Sequence, residues 1–330
     1  MVEIFDATSL GPLDGQGADP SLQATALTTK FRAHVRKQLP TLWGHANRLR
    51  LGSIAALHCK QSFVPDPNLP GTPTAFVAPH DPRSFNGLYA ALGLMAAMEL
   101  QPCAYASENA GEVFQHLVKH PGTGKDAEKS QDELRGHTDA VFHSLHDETR
   151  PALSASPDYV VLIGLRNPVP TATRVYAVSR VLKAPHLDAT DLVELARSVF
   201  LVSPQLSFTG FPPGTAEPNL PVLINHPVRG WQVRYSNSHV AADDDAQPAA
   251  SDALKKLKDL LTNPPADLIY RVFVEPGDIV FINNRVALHG RDRPADARPG
   301  GQTRWLIRTY AIHADTRPLR VGPRDTVLLP

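Results

Sequence analysis

From about residue 158 onward the chain is cut into short apolar runs. YVVLIGL (159–165), TRVYAV (173–178), NLPVLIN (219–225), GWQVRYS (230–236), YRVFVE (270–275), DIVFIN (278–283) and RWLIRTYAI (304–312) are rich in β-branched and aromatic residues and bounded by Pro, Gly or Asn. Such runs predict strands. So many after a helical first third predict a β-sandwich or barrel core with helices packed outside. The helices are expected at 20–38, with Leu22, Leu27, Phe31 and Val35 as the apolar face, and at 84–100, capped by Ser84. Two more are expected at 187–202 and at 251–263, the last capped by Ser251 with Leu254, Leu257, Leu260 and Leu261 on one side. The class is therefore α+β with a mainly β core. A length of 330 residues allows one large domain over 1–330: a helical or irregular segment 1–60, then a core over 61–315 with helical insertions.

Charge narrows the partners. Lys+Arg and Asp+Glu balance at 33 each, so no global field favours nucleic acid or an anionic membrane. There is no signal peptide and no apolar run of membrane-spanning length. Cys59 and Cys103 are the two cysteines, too few for a disulfide scaffold, and read as buried thiols. A cytoplasmic protein fits. HPGTGK (120–125) lacks the spacing of a phosphate loop, since Asp126 follows the lysine; it reads as a flexible loop beside an active site.

The sharpest local feature is Gly136-His137-Thr138-Asp139. In a strand, residues i and i+2 share a side, so His137 and Asp139 would project into one space. GDIVFINNRVALHG (277–290) supplies His289 downstream. Two imidazoles and a carboxylate make the facial triad of non-haem Fe(II) oxygenases, which leaves coordination positions open for a cosubstrate and O2. Arg304 follows His289 by fifteen residues, and a guanidinium holds a carboxylate through two parallel hydrogen bonds. Thr173 can add a hydroxyl to the same carboxylate. Iron at one end and an Arg/Thr clamp at the other is the pair of contacts that 2-oxoglutarate needs.

In order, HTD, PDYVVLIGLR, ATRV, PGDIVFINNRVALHGR and RWLIRTY resemble the clavaminate synthase-like group of the taurine-dioxygenase-like superfamily, which includes hydroxylases of free amino acids. PNLPGTPT and PCAYASENAGEVFQHLV are similar to its N-terminal region, so the resemblance spans about residues 60–315. It implies a double-stranded β-helix, or jelly roll, with flanking helices. It implies Fe(II), 2-oxoglutarate and O2, with succinate and CO2 as co-products, and hydroxylation of an unactivated C–H bond of a small amino acid or its derivative. The iron positions match His137, Asp139 and His289. The 2-oxoglutarate positions match Arg304 and Thr173, with Thr171 as runner-up. Arg308 matches a second arginine near the substrate or cosubstrate carboxylates, and Ser130 a polar residue near the substrate. Three departures stand out: Asp139 where many members have Glu, an apparent insertion TRPALSAS (149–156), and neutral Ser236 and Ser238 where guanidinium-binding members carry paired acids. Ser236 and Asp243 remain substrate candidates. Asp243, Asp244 and Asp245 read either as contacts for a cationic substrate or as a solvated loop leading into the next helix. The histidines His143 and His146 read as packing or supporting residues, and Asn283 and Asn284 as the turn that presents His289.

Two other classes compete. A non-catalytic jelly-roll protein would bind a small carboxylate without iron, and a zinc hydrolase would use two His and one Asp. The triad together with Arg304 argues against the first, and the lack of a general-base motif against the second. Within the oxygenase class, a carrier-bound amino acid or another small carboxylate or sulfonate is the alternative substrate.

Overall fold

Strands that are buried on both faces read as continuous apolar runs, and the middle of this chain is built from such strands. A computed structural model describes residues 1–123, 130–145, 148, 155–243, 245–295, 298–313, 320–321 and 327–329. The main sheet contains β1 (Val2–Asp6), β2 (Ala56–Lys60), β3 (Leu100–Tyr105), β4 (Phe114–Val118), β6 (Tyr159–Arg166), β14 (Ile279–Asn283), β16 (Trp305–His313), β17 (Arg320–Val321) and β18 (Val327–Leu329). Its order is β1-β2-β14-β6-β16-β3-β18-β17, with β4 also pairing β16. A second sheet orders β13 (Tyr270–Val272), β7 (Thr173–Ala177), β15 (Ala287–Arg291) and β5 (Leu134–His137).

Alternation along the central strands sorts the core into layers. Val161 and Ile163 of β6, Ile279 and Phe281 of β14, and Trp305 and Ile307 of β16 pack on one side with α1 (Ala24–Gln38), α2 (Leu42–Arg50) and α3 (Phe85–Ala97). Their neighbours Val160, Leu162, Val280, Ile282 and Leu306 face Val175, Ala177, Val272 and Ala287 of the second sheet. The outer face of that sheet, with Tyr176 and Leu288, is covered by α4 (Ala189–Leu195) and α5 (Pro248–Thr262). The layers thus run helix, sheet, sheet, helix. Every residue of α3 except Asn86 is buried, as an all-apolar helix requires. Each fully buried Leu or Phe in these layers contributes roughly 1.5–3 kcal/mol.

The expected elements are present with shifted limits, each for a local reason. The 187–202 run divides: Asp188 and Asp191 form a reciprocal cap and start α4, but the β-branched and aromatic end becomes β8 (Phe200–Val202), paired with β9 (Glu217–Leu220) and β12 (Val240–Ala241). NLPVLIN is split into β9 and β10 (Leu223–His226), which pairs β11 (Gly230–Val233); Pro221 between them has no N–H to give to a ladder. Ser84 is not a side-chain cap; Asp81 caps the preceding 3-10 turn instead, through the Arg83 N–H at 3.0 Å. Ser251 lies inside α5, which starts at Pro248, a favoured first-turn residue. Leu22 precedes α1 and is exposed. Segment 1–60 is more than a flanking piece, because β1 and β2 extend the main sheet beside β14. No helix among the described residues is long and apolar enough to cross a membrane.

Candidate active site

The second sheet brings the separated motifs together. β15 pairs with β5 so that His289 lies opposite His137, and the register shifts before Arg291. A Cβ at Gly290 would run into the Leu134 carbonyl, so the two strands approach this closely only with glycine between His289 and Arg291. The imidazole centroids lie 4.4 Å apart. Asp139 Oδ1 is 3.4 Å from His137 Nε2, and Asp139 Oδ2 is 3.7 Å from His289 Nε2. One ligand atom from each of the three lies within 4.8 Å of the others. The shared-strand reading of His137 and Asp139 needs correction: β5 ends at His137, and Asp139 sits in the following turn, where Ala140 has φ of 53°.

His137 Nδ1 lies 2.9 Å from the Arg135 carbonyl oxygen. A carbonyl only accepts, so Nδ1 carries the hydrogen and Nε2 keeps its lone pair on the Asp139 side. That tautomer is the one a metal requires of a histidine ligand. The donor set, two imidazoles and one carboxylate, fits Fe(II) with vacant positions remaining.

The turn is held by side chains rather than by a ladder. Asn284 Oδ1 accepts the Asp139 N–H at 2.9 Å, and Asn284 Nδ2 donates to the Asp139 carbonyl at 3.0 Å. Gln205 Oε1 accepts the next N–H, that of Ala140, at 2.6 Å. Thr138 exchanges bonds with the backbone of Tyr235. Burial alone would raise the Asp139 carboxyl, but His137, His289 and Arg308 outweigh it and hold the group well below the usual carboxylate range. Arg308 reaches Asp139 Oδ2 at 3.4 Å, Glu108 Oε1 at 3.0 Å and Gln115 Oε1 at 2.9 Å, and lies over the Tyr310 ring. Burial would lower this guanidinium; Glu108, Tyr310 and Asp139 reverse the effect, so it stays charged.

His137, Asp139, His289 and Arg308 line a cavity of about 440 Å³ between the two sheets. Leu117, Val160 and Leu162 give it an apolar wall on the main sheet, and Thr173, Arg304 and Ser130 also line it. Arg304 and Arg308 share a face of β16 and its preceding residue, as a four-residue spacing dictates in extended chain. Thr171, by contrast, is outside the lining; its hydroxyl donates to the Val169 carbonyl and shapes a loop. Ser236 and Asp243 are not brought to the cavity. Ser236 is buried, with its carbonyl accepting from Val240. Asp243 Oδ1 accepts from the N–H groups of Asp245 and Ala246, turning the chain into α5. His143 stacks on Tyr105, the packing role expected of it; His146, Asp244 and residues 124–125 of the expected loop lie outside the described residues. Glu108, Gln115 and Arg291 line the cavity without having been singled out. Arg291 was findable, being two residues from His289 on one strand.

The family of the taurine catabolism dioxygenase TauD and of TfdA matches residues 69–310, most of the chain. The chain belongs to the TauD/TfdA dioxygenase family. It is an Fe(II)- and 2-oxoglutarate-dependent oxygenase. Among curated relatives, the L-asparagine oxygenase of Streptomyces coelicolor is 29% identical over 246 residues, covering 73% of this chain and 67% of that protein. The L-ornithine/L-arginine 3-hydroxylase of Catenulispora acidiphila is 29% identical over 220 residues, covering 59% and 58%. Of solved structures, asparagine oxygenase with Fe(II), 3-hydroxyasparagine and succinate is 22% identical with a TM-score of 0.69, covering 99% of this chain and 98% of that one. The non-haem iron oxygenase OrfP with Fe, succinate and (3S)-hydroxy-L-Arg is 19% identical with a TM-score of 0.69, covering 100% of both. The fold is thus the one these oxygenases share.

Proposed function

We propose that this dioxygenase hydroxylates an unactivated C–H bond of a small amino acid or a close derivative. His137, Asp139 and His289 hold the iron, and Arg304 with Thr173 holds the far carboxylate of 2-oxoglutarate. The observation that carries the reading is the convergence of these five residues, from four separate segments of the chain, on one cavity. Bound there, Fe(II) with 2-oxoglutarate and O2 supplies the oxidising power, and succinate and CO2 leave as co-products.

The chain's own part is binding and orientation. The Arg135 carbonyl fixes the His137 ring. Arg308 and Glu108 are a matched cation and anion at the cavity edge, suited to the carboxylate and ammonium of an amino acid. Ser130 adds a hydroxyl whose oxygen already accepts the His120 N–H. Leu117, Val160 and Leu162 keep one wall apolar, which limits water around the reacting carbon. We read the two facing sheets as the double-stranded β-helix, within a single domain over 1–330; the relatives named for asparagine and for ornithine or arginine support the substrate class.

The test is succinate release by purified protein with Fe(II), ascorbate, 2-oxoglutarate and pooled free amino acids, followed by mass spectrometry for one added oxygen atom. His137→Ala is the control and abolishes both signals. Stimulated succinate with an oxygenated amino acid is the expected result. Succinate without an oxygenated amino acid would move the substrate to a carrier-bound amino acid or another small carboxylate.

A further inference from the structure

We propose that Gln205 is a positioning residue for the metal ligand Asp139, and that through it the metal site and the cavity wall at residues 206–209 hold each other in place. The inference rests on the metal assignment above.

The turn that carries Asp139 needs outside support. β5 ends at His137, and Ala140 has φ of 53°, a left-handed backbone that is unfavourable for a residue with a side chain. Asn284 satisfies the N–H and the carbonyl of Asp139 itself. Gln205 takes the peptide groups on either side of it. Its Oε1 accepts the Ala140 N–H at 2.6 Å, and its Nε2 donates to the Thr138 carbonyl at 3.4 Å. Thr138 and Ala140 are both buried, and a buried N–H deprived of its acceptor is costly. The shape of the turn therefore depends on where Gln205 is held.

Gln205 is held by the cavity wall. Its carbonyl accepts the Phe208 N–H at 2.9 Å. Phe208 is buried, lies opposite Glu108 in an antiparallel bridge, and packs on Tyr105 and His143 with ring centroids 5.3 and 5.0 Å away. The Thr209 N–H and hydroxyl both donate to the Ser107 carbonyl, at 2.6 and 3.0 Å. Leu206, Ser207 and Thr209 of this segment line the cavity. One short segment thus faces the cavity with three side chains and braces Asp139 with the residue just before them. Moving the wall moves the brace. Fixing Asp139 on a metal stiffens the wall in return, because coupling between two sites is reciprocal.

The test is a Mn(II) titration of the full-length protein followed by electron paramagnetic resonance, with a thermal melt to establish folding. Gln205→Met, which keeps the length of the side chain and loses both bonds, weakens Mn(II) binding about tenfold. Gln205→Glu keeps an acceptor for the Ala140 N–H and stays close to wild type. Gln205→Asn withdraws the amide by a methylene, shows the same loss as the methionine variant, and stands in for it if that protein does not fold. Ser203→Ala unties the loop at its other end, where the Ser203 hydroxyl meets His239 Nδ1 at 3.2 Å, and leaves Mn(II) affinity unchanged. Hydrogen–deuterium exchange supplies a second readout: Mn(II) slows uptake across residues 205–210 in the wild type and not in Gln205→Met. Wild-type affinity in a folded Gln205→Met protein would overturn the proposal, as would an equal loss in Gln205→Glu or in Ser203→Ala, or the same Mn(II) protection of 205–210 with and without Gln205. Each of those results leaves the metal assignment standing. Mn(II) binding that is absent from the wild type, or unaltered by His137→Ala, would sink the metal assignment and this inference with it.

Discussion

Asp139 depends on a residue 145 positions away in sequence. Asn284 is almost fully buried and uses its amide to grip both sides of Asp139, as donor and as acceptor, while its remaining hydrogen goes to the Pro157 carbonyl at 3.1 Å. Asn283 and Asn284 both read as the turn before His289. Asn283 does that work, accepting from the N–H groups of Arg285 and Val286, but Asn284 serves the other motif. Asn284→Ala removes those bonds and leaves a buried N–H and carbonyls unsatisfied, which costs about 1–3 kcal/mol. It also frees the Asp139 turn, and metal affinity falls about 10–100-fold, the usual effect of losing a group that orients a ligand. A Mn(II) titration followed by electron paramagnetic resonance, beside a thermal melt, measures both; wild-type affinity would show the clamp has no bearing on the metal. The triad, Thr173, Arg304, Arg308 and Ser130 could be singled out because each falls at a fixed place in an ordered motif, and the fold brings all of them to one cavity. Asp243 instead satisfies its own backbone, accepting from the N–H groups of Asp245 and Ala246, and Ser236 is outside the cavity lining. Glu108 and Gln115 carry no pattern at all; only folding sets them against Arg308.

At the scale of elements, the strands that sequence revealed are those buried on both faces, such as β6, β14 and β16. The strand that carries His137 was inferred only from the spacing of His137 and Asp139, and its end was set too late. β5 has four residues, LRGH, and only Gly136 is buried, so it has no alternation to read. β4 is only one residue longer, yet one of its contacts titrates. His116 on β4 is buried, and the Trp305 indole N–H donates to its Nδ1 at 2.9 Å. Burial first, and His80 second, push the His116 pKa down to about 4. The folded protein therefore keeps this ring neutral while the unfolded chain protonates it near its ordinary value of 6.5. Between about pH 6.5 and 4 the unfolded state holds more protons at this site, so stability falls as the pH falls through that window and is fully present above it. His116→Gln retains an acceptor for Trp305 without the titration. Its stability-versus-pH curve is flatter than wild type across that window in urea melts, and parallel curves would refute the assignment.

For the whole molecule, the first 60 residues decide whether the rest has a core. β2 hydrogen-bonds β14 from Ile279 to Ile282, and Asn283 Nδ2 donates to the Leu49 carbonyl at 2.7 Å. Leu27, Phe31 and Val35 of α1 and Leu88, Leu92 and Met95 of α3 belong to one apolar cluster with the main sheet. Deleting residues 1–60 would bare the edge of β14, an invitation to aggregate, and would strip one side of α3. The damage reaches the site, because β14 runs directly into Asn284 and then into His289. A chain of residues 61–330 is therefore expected to be insoluble, or to lose its near-ultraviolet circular dichroism together with Mn(II) binding. Supplying residues 1–60 as a separate chain during refolding restores both if the missing part is the sheet edge and the α1–α3 contact. A soluble 61–330 protein that binds Mn(II) like the full chain would mean that the core closes without β1 and β2, and that the N-terminal segment is an attachment rather than the first piece of the main sheet.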